Sequence, residues 1–186
     1  MGWIILLVVA GVAALLLIGI YNRLVKLNQE ANQAFADIDV QLKQRHDLVP
    51  NLVATVQGSA GHERGTLEAV VQARNAAVAA NSVHDKAQAE GLLTGALRQL
   101  FALSEAYPDL KANENFLQLQ TELGDIENKL AAARRYFNNA VAEFNAAAQQ
   151  FPAVLLAGLL GFRQREFFEV GEGERAVLDR APQVKF

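Results

Sequence analysis

The chain has no cysteine among its 186 residues, and this absence excludes both a disulfide framework and a thiolate metal site. Proline is scarce as well, since only four occur, at positions 50, 108, 152 and 182. No stretch alternates apolar and polar residues between turn signals, as a half-buried strand would. Because good helix formers such as Ala, Leu, Gln and Glu dominate instead, the composition predicts an all-α protein of long helices.

An excess of basic charge is also missing, because 17 Lys and Arg stand against 20 Asp and Glu. The two signs are interspersed, so no basic stripe is available and we expect no nucleic-acid partner. Histidine is rare: the chain has His46, His62 and His84. His62-Glu63 begins like the zinc motif H-E-x-x-H, but Thr66 stands where the second histidine would be. We therefore expect no metal site.

Motifs of catalysis are absent from the sequence too. It has no P-loop and no G-x-G-x-x-G fingerprint, and Gly58-Ser59-Ala60-Gly61 lacks the spacing of a nucleophile elbow. The glutamates do not form the paired Glu-x-x-His motifs of di-iron bundles. We expect no catalytic residues, no cofactor and no enzymatic activity.

What the chain does contain is an uncharged apolar run from Trp3 to Ile20. As a helix this run spans about 27 Å, close to the roughly 30 Å hydrocarbon thickness of a bilayer. Trp3 and Tyr21 flank the run and can place their polar tips at the membrane interface. A secretory signal peptide is the alternative, but no basic residue precedes the run and no A-x-A-like cleavage site follows it. Residues 1–21 are therefore predicted to form an uncleaved transmembrane anchor.

The flanks of this anchor predict its orientation. Arg23 and Lys26 follow the span, so the positive-inside rule places the N-terminus outside and the helical part in the cytoplasm. We accordingly expect a single-pass protein of the bacterial inner membrane, with the lipid bilayer as a partner. Within the span, Ala10 and Ala14 offer a weak small-residue contact to another helix, which favours a homo-oligomer.

Residues 22–152 are predicted to form an antiparallel four-helix bundle with coiled-coil-like packing. The main evidence is a seam of apolar residues at alternating spacings of three and four. The seam comprises Phe116, Leu119, Leu123, Ile126, Leu130, Ala133, Phe137, Ala140, Phe144, Ala147 and Phe151. A second helix continues from the anchor and can kink at Pro50, a third covers residues 62–80, and a capping box at Ser82–Asp85 opens the fourth. Short turns between such helices favour a bundle.

The segment at 153–170 is apolar at first, then basic and aromatic. Its first ten residues carry no polar side chain but are too short to cross a bilayer. One interpretation is that they cap the open end of the bundle; the other is that they contact lipid or a second subunit. The candidates for such contact are Leu155, Leu156, Ala157, Gly161, Phe162, Arg163, Arg165, Phe167 and Phe168. Residues 171–186 are acidic and glycine-spaced, which predicts a flexible tail.

A second candidate surface lies where charges alternate along residues 37–47, just before Pro50. It is either a solvated helix face with a proline kink or a docking surface near the membrane. The residues that would form the docking surface are Asp39, Lys43, Arg45, Asp47, Pro50 and Asn51.

The stretch from Asp39 to Val53 resembles the signature of the LemA family. Further blocks follow in the family's order, among them Tyr107 to Asn113, Arg134-Arg135-Tyr136 and Phe151-Pro152. The resemblance runs from about Tyr21 to the C-terminus. It implies a membrane anchor followed by an α-helical bundle, and it brings no established catalytic activity or site residues. Some members are associated with membrane biogenesis, including magnetosome membranes, and others are encoded beside membrane proteases.

Two functions from different classes fit these features. The first is a membrane-anchored helical scaffold that assembles with itself or with membrane partners. The second is an adaptor or regulator of a membrane protease or signalling complex, which would use the charged stretch before Pro50.

Overall fold

A computed structural model describes residues 1–60 and 63–169, and in these two ranges it contains five α-helices and no strand. The helices are α1 (Gly2–Ser59), α2 (Arg64–Ala79), α3 (Val83–Ser104), α4 (Pro108–Lys111) and α5 (Glu114–Gln149), followed by a 3₁₀ turn at Ala153–Leu155. The tail predicted at 171–186 lies outside the described residues. The all-α class is confirmed, and α1 carries an apolar N-terminal stretch long enough to cross a membrane.

The chain divides into two compact units. The anchor unit comprises Met1–Ile38 and Ala133–Glu166, and the four-helix unit comprises Asp39–Ala132 together with residues 167–169. The four-helix unit has one hydrophobic core, to which all four of its long helices contribute. Fully buried examples are Leu52 on α1, Val70 on α2, Leu93 on α3 and Phe116 on α5. The predicted bundle packing is thus present within this unit.

Proline at position 50 does not interrupt α1, which runs on to Ser59. A proline inside a helix removes one backbone donor, so the carbonyl four residues earlier loses its hydrogen bond. That carbonyl belongs to His46, and Arg74 of α2 donates to it through Nε at 3.2 Å. The guanidinium takes the place of the missing backbone N–H. Arg74 of α2 thus compensates α1 for the hydrogen-bond donor that Pro50 lacks.

Two helices of the four-helix unit, α3 and α5, are capped at their N-termini by side chains. Ser82 Oγ accepts from the Asp85 backbone N–H at 3.0 Å, which confirms the predicted cap of α3. Asn113 Oδ1 accepts from Phe116 N–H and caps α5 in the same way. The Tyr107 hydroxyl donates to Glu63 Oε1 at 2.9 Å, and this hydrogen bond raises the pKa of Tyr107 because it stabilises the protonated phenol. That bond ties the chain after α3 to the start of α2.

The predicted seam on α5 is largely confirmed. Phe116, Leu123, Ile126, Leu130, Phe137, Phe144 and Ala147 are all buried. Its last member is an exception: α5 ends at Gln149, and Phe151 is exposed beyond that end. The heptad geometry of a coiled coil stays a prediction.

Candidate functional site

A buried polar network lies at the centre of the four-helix unit. Arg45 of α1 donates through Nη1 to Glu90 Oε2 of α3 at 3.2 Å and through Nη2 to Thr94 Oγ1 at 2.8 Å. His46 Nε2 lies 2.5 Å from the other carboxylate oxygen, Glu90 Oε1. Glu127 of α5 adds a second carboxylate, 3.4 Å from Arg45 Nη2. Three helices are joined by this network.

Most side chains of the network are buried. Arg45, His46 and Glu90 are each at least nine-tenths buried, so their polar atoms are withdrawn from water. Both oxygens of Glu90 are engaged, and Thr94 donates its hydroxyl to the Glu90 backbone carbonyl at 2.9 Å. A buried charge is tolerated only when it is paired and hydrogen-bonded, and here each has such partners. These contacts join α1, α3 and α5 through charged side chains, of which Glu127 is 40% exposed.

Beside this network lies a groove of about 440 Å³. Its charged lining comes from α1, α2 and α3, and comprises Asp39, Lys43, His46, Asp47, Arg74 and Lys86. Most of these charges are paired: Lys86 Nζ lies 2.5 Å from Asp39 Oδ1, and Lys43 Nζ lies 2.8 Å from Asp47 Oδ2. The hydrogen bond from Lys43 lowers the pKa of Asp47, and the positive charge of Arg74 acts in the same direction. The groove therefore carries charges of both signs, and its net charge is small.

The structure separates the docking residues expected before Pro50 into two groups. Asp39, Lys43 and Asp47 lie on one face of α1, four residues apart, and line the groove. Pro50 and Asn51 are exposed. Arg45 is not on that surface, because it is buried with Glu90. His46 is buried as well. Both side chains are withdrawn because α3 brings a carboxylate to them.

In the anchor unit, the segment after α5 folds back onto the helices. Ala153 and Ala157 are buried in a small core with Leu24, Ala147 and Ala148. The Phe162 ring lies 5.9 Å from that of Tyr21 and 6.1 Å from that of Phe144. This part of the segment packs against α1 and against the end of α5, and a cap on the open end of the bundle stays a prediction.

Gly161 ends this turn in a way that requires glycine. Its φ is +83°, and the following Phe162 N–H donates to the Ala157 carbonyl at 2.9 Å. This is the Schellman pattern, in which a left-handed residue reverses the chain. A Cβ at Gly161 would meet nothing within 4 Å, so its role is conformational and not that of a small contact residue.

The chain after Gly161 is held by a strap, residues 163–166, fixed by amide side chains. Asn145 of α5 donates through Nδ2 to the Arg165 carbonyl at 3.0 Å and accepts from the Arg165 N–H at 2.9 Å. Arg165 Nη1 in turn donates to Asn28 Oδ1 at 2.8 Å and Asn32 Oδ1 at 2.7 Å on α1. Partial burial lowers the pKa of the Arg165 guanidinium. The Arg165 side chain thus binds α1 of the same chain.

The other residues expected to contact lipid or a subunit are divided by burial. Leu155, Arg163 and Phe167 are exposed. Leu156 and Phe162 are half-buried, whereas Ala157 and Phe168 are buried and do not belong to an exposed surface. In the anchor, Trp3, Ala10 and Ala14 are exposed along the apolar part of α1, as residues facing lipid would be.

Replacing Asn145 with alanine is expected to release the strap. The change removes two hydrogen bonds to the Arg165 backbone, which at about 0.5 to 1.5 kcal/mol each amounts to roughly 1 to 3 kcal/mol. Limited proteolysis after Arg163 and Arg165 should accelerate, and thermal unfolding in detergent should shift down. The exposed Asn139, on the same helix, provides the control, because Asn139→Ala should change neither. Equal effects of both substitutions would contradict the role of Asn145.

Sequence reasoning did not identify Glu90, Thr94, Arg74 or Asn145. The burial of Glu90 could have been predicted from its spacing, because it stands three residues before Leu93 on the buried face of α3. Arg45 likewise continues the α1 stripe of Ile38 and Leu42 toward Val49. A charge at a core position of each of two helices indicates a buried pair. Among the described residues, no three His, Asp or Glu side chains gather as metal ligands.

Comparison with known proteins places this architecture in a family. The model of the LemA family matches residues 34–186. The chain is 29% identical to Protein LemA of Metamycoplasma hominis over 174 residues, which covers 91% of this chain and 78% of that protein. It is 25% identical to Magnetosome protein MamQ of Magnetospirillum gryphiswaldense over 191 residues, covering 88% and 70%. Magnetosome protein MamQ 2 of Paramagnetospirillum magneticum is 24% identical, covering 89% and 70%. With its N-terminal membrane helix and its helical core, the chain is a membrane-associated protein and belongs to the LemA family.

Proposed function

We propose that this protein is a helical scaffold that self-assembles at the membrane surface and contributes to membrane organisation, without catalysing a reaction. The observation that carries the proposal is the continuity of α1. One helix, Gly2–Ser59, provides the membrane span and then Val49, Leu52 and Val56 of the four-helix core, with no linker between. A flexible linker would let the domain move freely relative to the span, and α1 contains none.

Two further observations support this function. The ionisable groups that could have formed a reaction centre are used to fix helices against one another. The relatives that are named magnetosome proteins favour a role in organising membranes. We place the protein in the bacterial inner membrane with its N-terminus outside, since Arg23 and Lys26 are exposed directly after the span.

Self-assembly can be tested by disulfide scanning, because the chain has no cysteine of its own. Oxidation of membranes carrying Ala10→Cys or Ala14→Cys should give covalent dimers. Val12→Cys is the control, since it lies on the opposite face of the helix at 100° per residue. Light scattering of the detergent-extracted protein should show particles of more than one chain. A single-chain particle at all concentrations, with no face-dependent crosslinking, would contradict the scaffold.

The groove beside Asp39 favours a second candidate, an adaptor that binds a charged segment of a membrane-protein partner such as a protease. Asp39, Lys43 and Asp47 would offer paired charges of both signs to it. Photocrosslinking from Val78, which lines the groove and is exposed, distinguishes the two functions. A stoichiometric foreign product indicates the adaptor, and products from this chain alone indicate the scaffold.

A further inference from the structure

The segment after α5 exposes a cluster of large apolar side chains. Leu159 is 86% exposed and Phe151 is 81% exposed. Three more large apolar side chains are exposed within residues 151–160: Val154, Leu155 and Leu160. Elsewhere on the described water-facing helices, exposed apolar residues such as Leu92 and Leu117 stand far apart in sequence. Isolated ones are normal on a protein surface, whereas a cluster indicates an interaction site.

The position of this cluster indicates its partner. Residues 151–160 are anchored by Ala153 and Ala157, which pack around Leu24, four residues after the end of the apolar span. Ile20, the last residue of the span, packs against the same core. The Phe162 ring contacts Tyr21, the residue that marks the membrane interface. The segment that carries the exposed cluster therefore packs against α1 within about one turn of the end of the apolar span.

Charges around the cluster match the headgroup region. Arg23 and Lys26 on α1 and Arg163 after the turn are all exposed in this unit. Lys26 has a nearby carboxylate, Glu30 Oε1, at 3.8 Å. An apolar cluster with basic residues beside it is the composition that binds the boundary between headgroups and acyl chains.

Part of the backbone of the segment is hydrogen-bonded internally. Leu156, Ala157 and Leu160 N–H groups donate within the segment at 2.8 to 2.9 Å. Satisfied backbone groups lower the cost of leaving water. Ten residues cannot cross a bilayer, so the segment reaches only the upper part of one leaflet.

We propose that residues 151–160 form a lipid-inserted wedge beside the transmembrane helix, so that the protein enters the same leaflet at two adjacent points. The wedge displaces headgroups and upper acyl chains in one leaflet only. This inference rests on the membrane helix and not on self-assembly, so either can fail without the other.

The test uses the full-length protein in liposomes, with an NBD fluorophore on a single introduced cysteine. The labelled positions are Leu155→Cys and Leu159→Cys, with Asn139→Cys as the matched control. Asn139 is exposed on α5 but lies ten residues, about 15 Å, before the end of that helix. Lipids carrying a nitroxide high on the acyl chain should quench the two wedge positions at least about twofold more than the control. Their emission should also shift to the blue.

Two results would overturn the wedge. Quenching by nitroxide lipid at positions 155 and 159 no stronger than at 139 would show that the segment stays outside the lipid. Protection from aqueous iodide without nitroxide quenching would show that a second copy of the chain covers the cluster instead. Circular dichroism of each labelled protein confirms that the helices are intact, and two independent positions guard against a local perturbation by one label.

Discussion

Substituting Glu90 with alanine is expected to destabilise the protein by about 3 to 5 kcal/mol, because the change leaves buried positive charge without its partner. Arg45 would lose its Nη1 contact and His46 its ring contact, since both bind this one carboxylate. Glu127 remains 3.4 Å from Arg45 Nη2, but its side chain is 40% exposed and compensates the buried charge less well than Glu90. Denaturant unfolding of the full chain in detergent, followed by circular dichroism, measures the loss.

Controls separate the network from a general effect of losing a glutamate. Glu143→Ala removes an exposed carboxylate on α5 and should change stability by less than about 0.5 kcal/mol. The double variant Arg45→Met, Glu90→Leu should cost less than the sum of its two single changes, because neither charge is then left alone. Strict additivity would show that the two residues do not depend on each other.

Replacing Pro50 with alanine is expected to stabilise the protein, by about 1 to 3 kcal/mol. Proline in a helix interior is roughly 3 kcal/mol less favourable than alanine, and the new N–H can bond the His46 carbonyl. Arg74 already serves that carbonyl at 3.2 Å, so the gain is smaller than the full difference. The neighbouring Asn51→Ala is the control, since it is exposed in the same helical turn and should give only a few tenths of a kcal/mol.

A double-mutant cycle tests the link between Pro50 and Arg74. Arg74→Ala should cost about 1 to 2 kcal/mol in the natural chain, because the His46 carbonyl loses its donor. In the Pro50→Ala background it should cost clearly less, since the backbone of residue 50 then supplies the bond. Equal costs in both backgrounds would show that Arg74 acts through its other neighbours, such as Asn75.

Local sequence features predicted the fold well because they depend on near neighbours. The apolar run from residue 3 to residue 20 and the spacing of three and four on α5 are properties of single helices. The cap at Ser82 depends on the residue three positions later. All of these could be identified without knowing which helices meet.

The polar contacts could not be predicted because their partners lie far apart in the chain. Arg45 and Glu90 are 45 positions apart, and Arg165 and Asn28 are 137 apart. Local periodicity shows that Arg45 occupies a core position, but it does not show which helix supplies the compensating charge. Similarly, the sequence of residues 151–162 left capping and lipid contact as alternatives. In the structure Ala153, Ala157 and Phe162 pack against the helices. The exposed Leu155 and Leu159 are the residues for which we propose lipid contact.

The brevity of the apolar run in α1 has a consequence for where this protein resides. About 27 Å of span is slightly shorter than an average hydrocarbon layer of roughly 30 Å, so in a thicker bilayer the lipid thins around it, flanking side chains extend to the interface, or the spans associate. Such hydrophobic mismatch disfavours thick regions and draws short spans toward thin ones or toward each other. Patches of thinner membrane would therefore collect this protein by physical sorting alone.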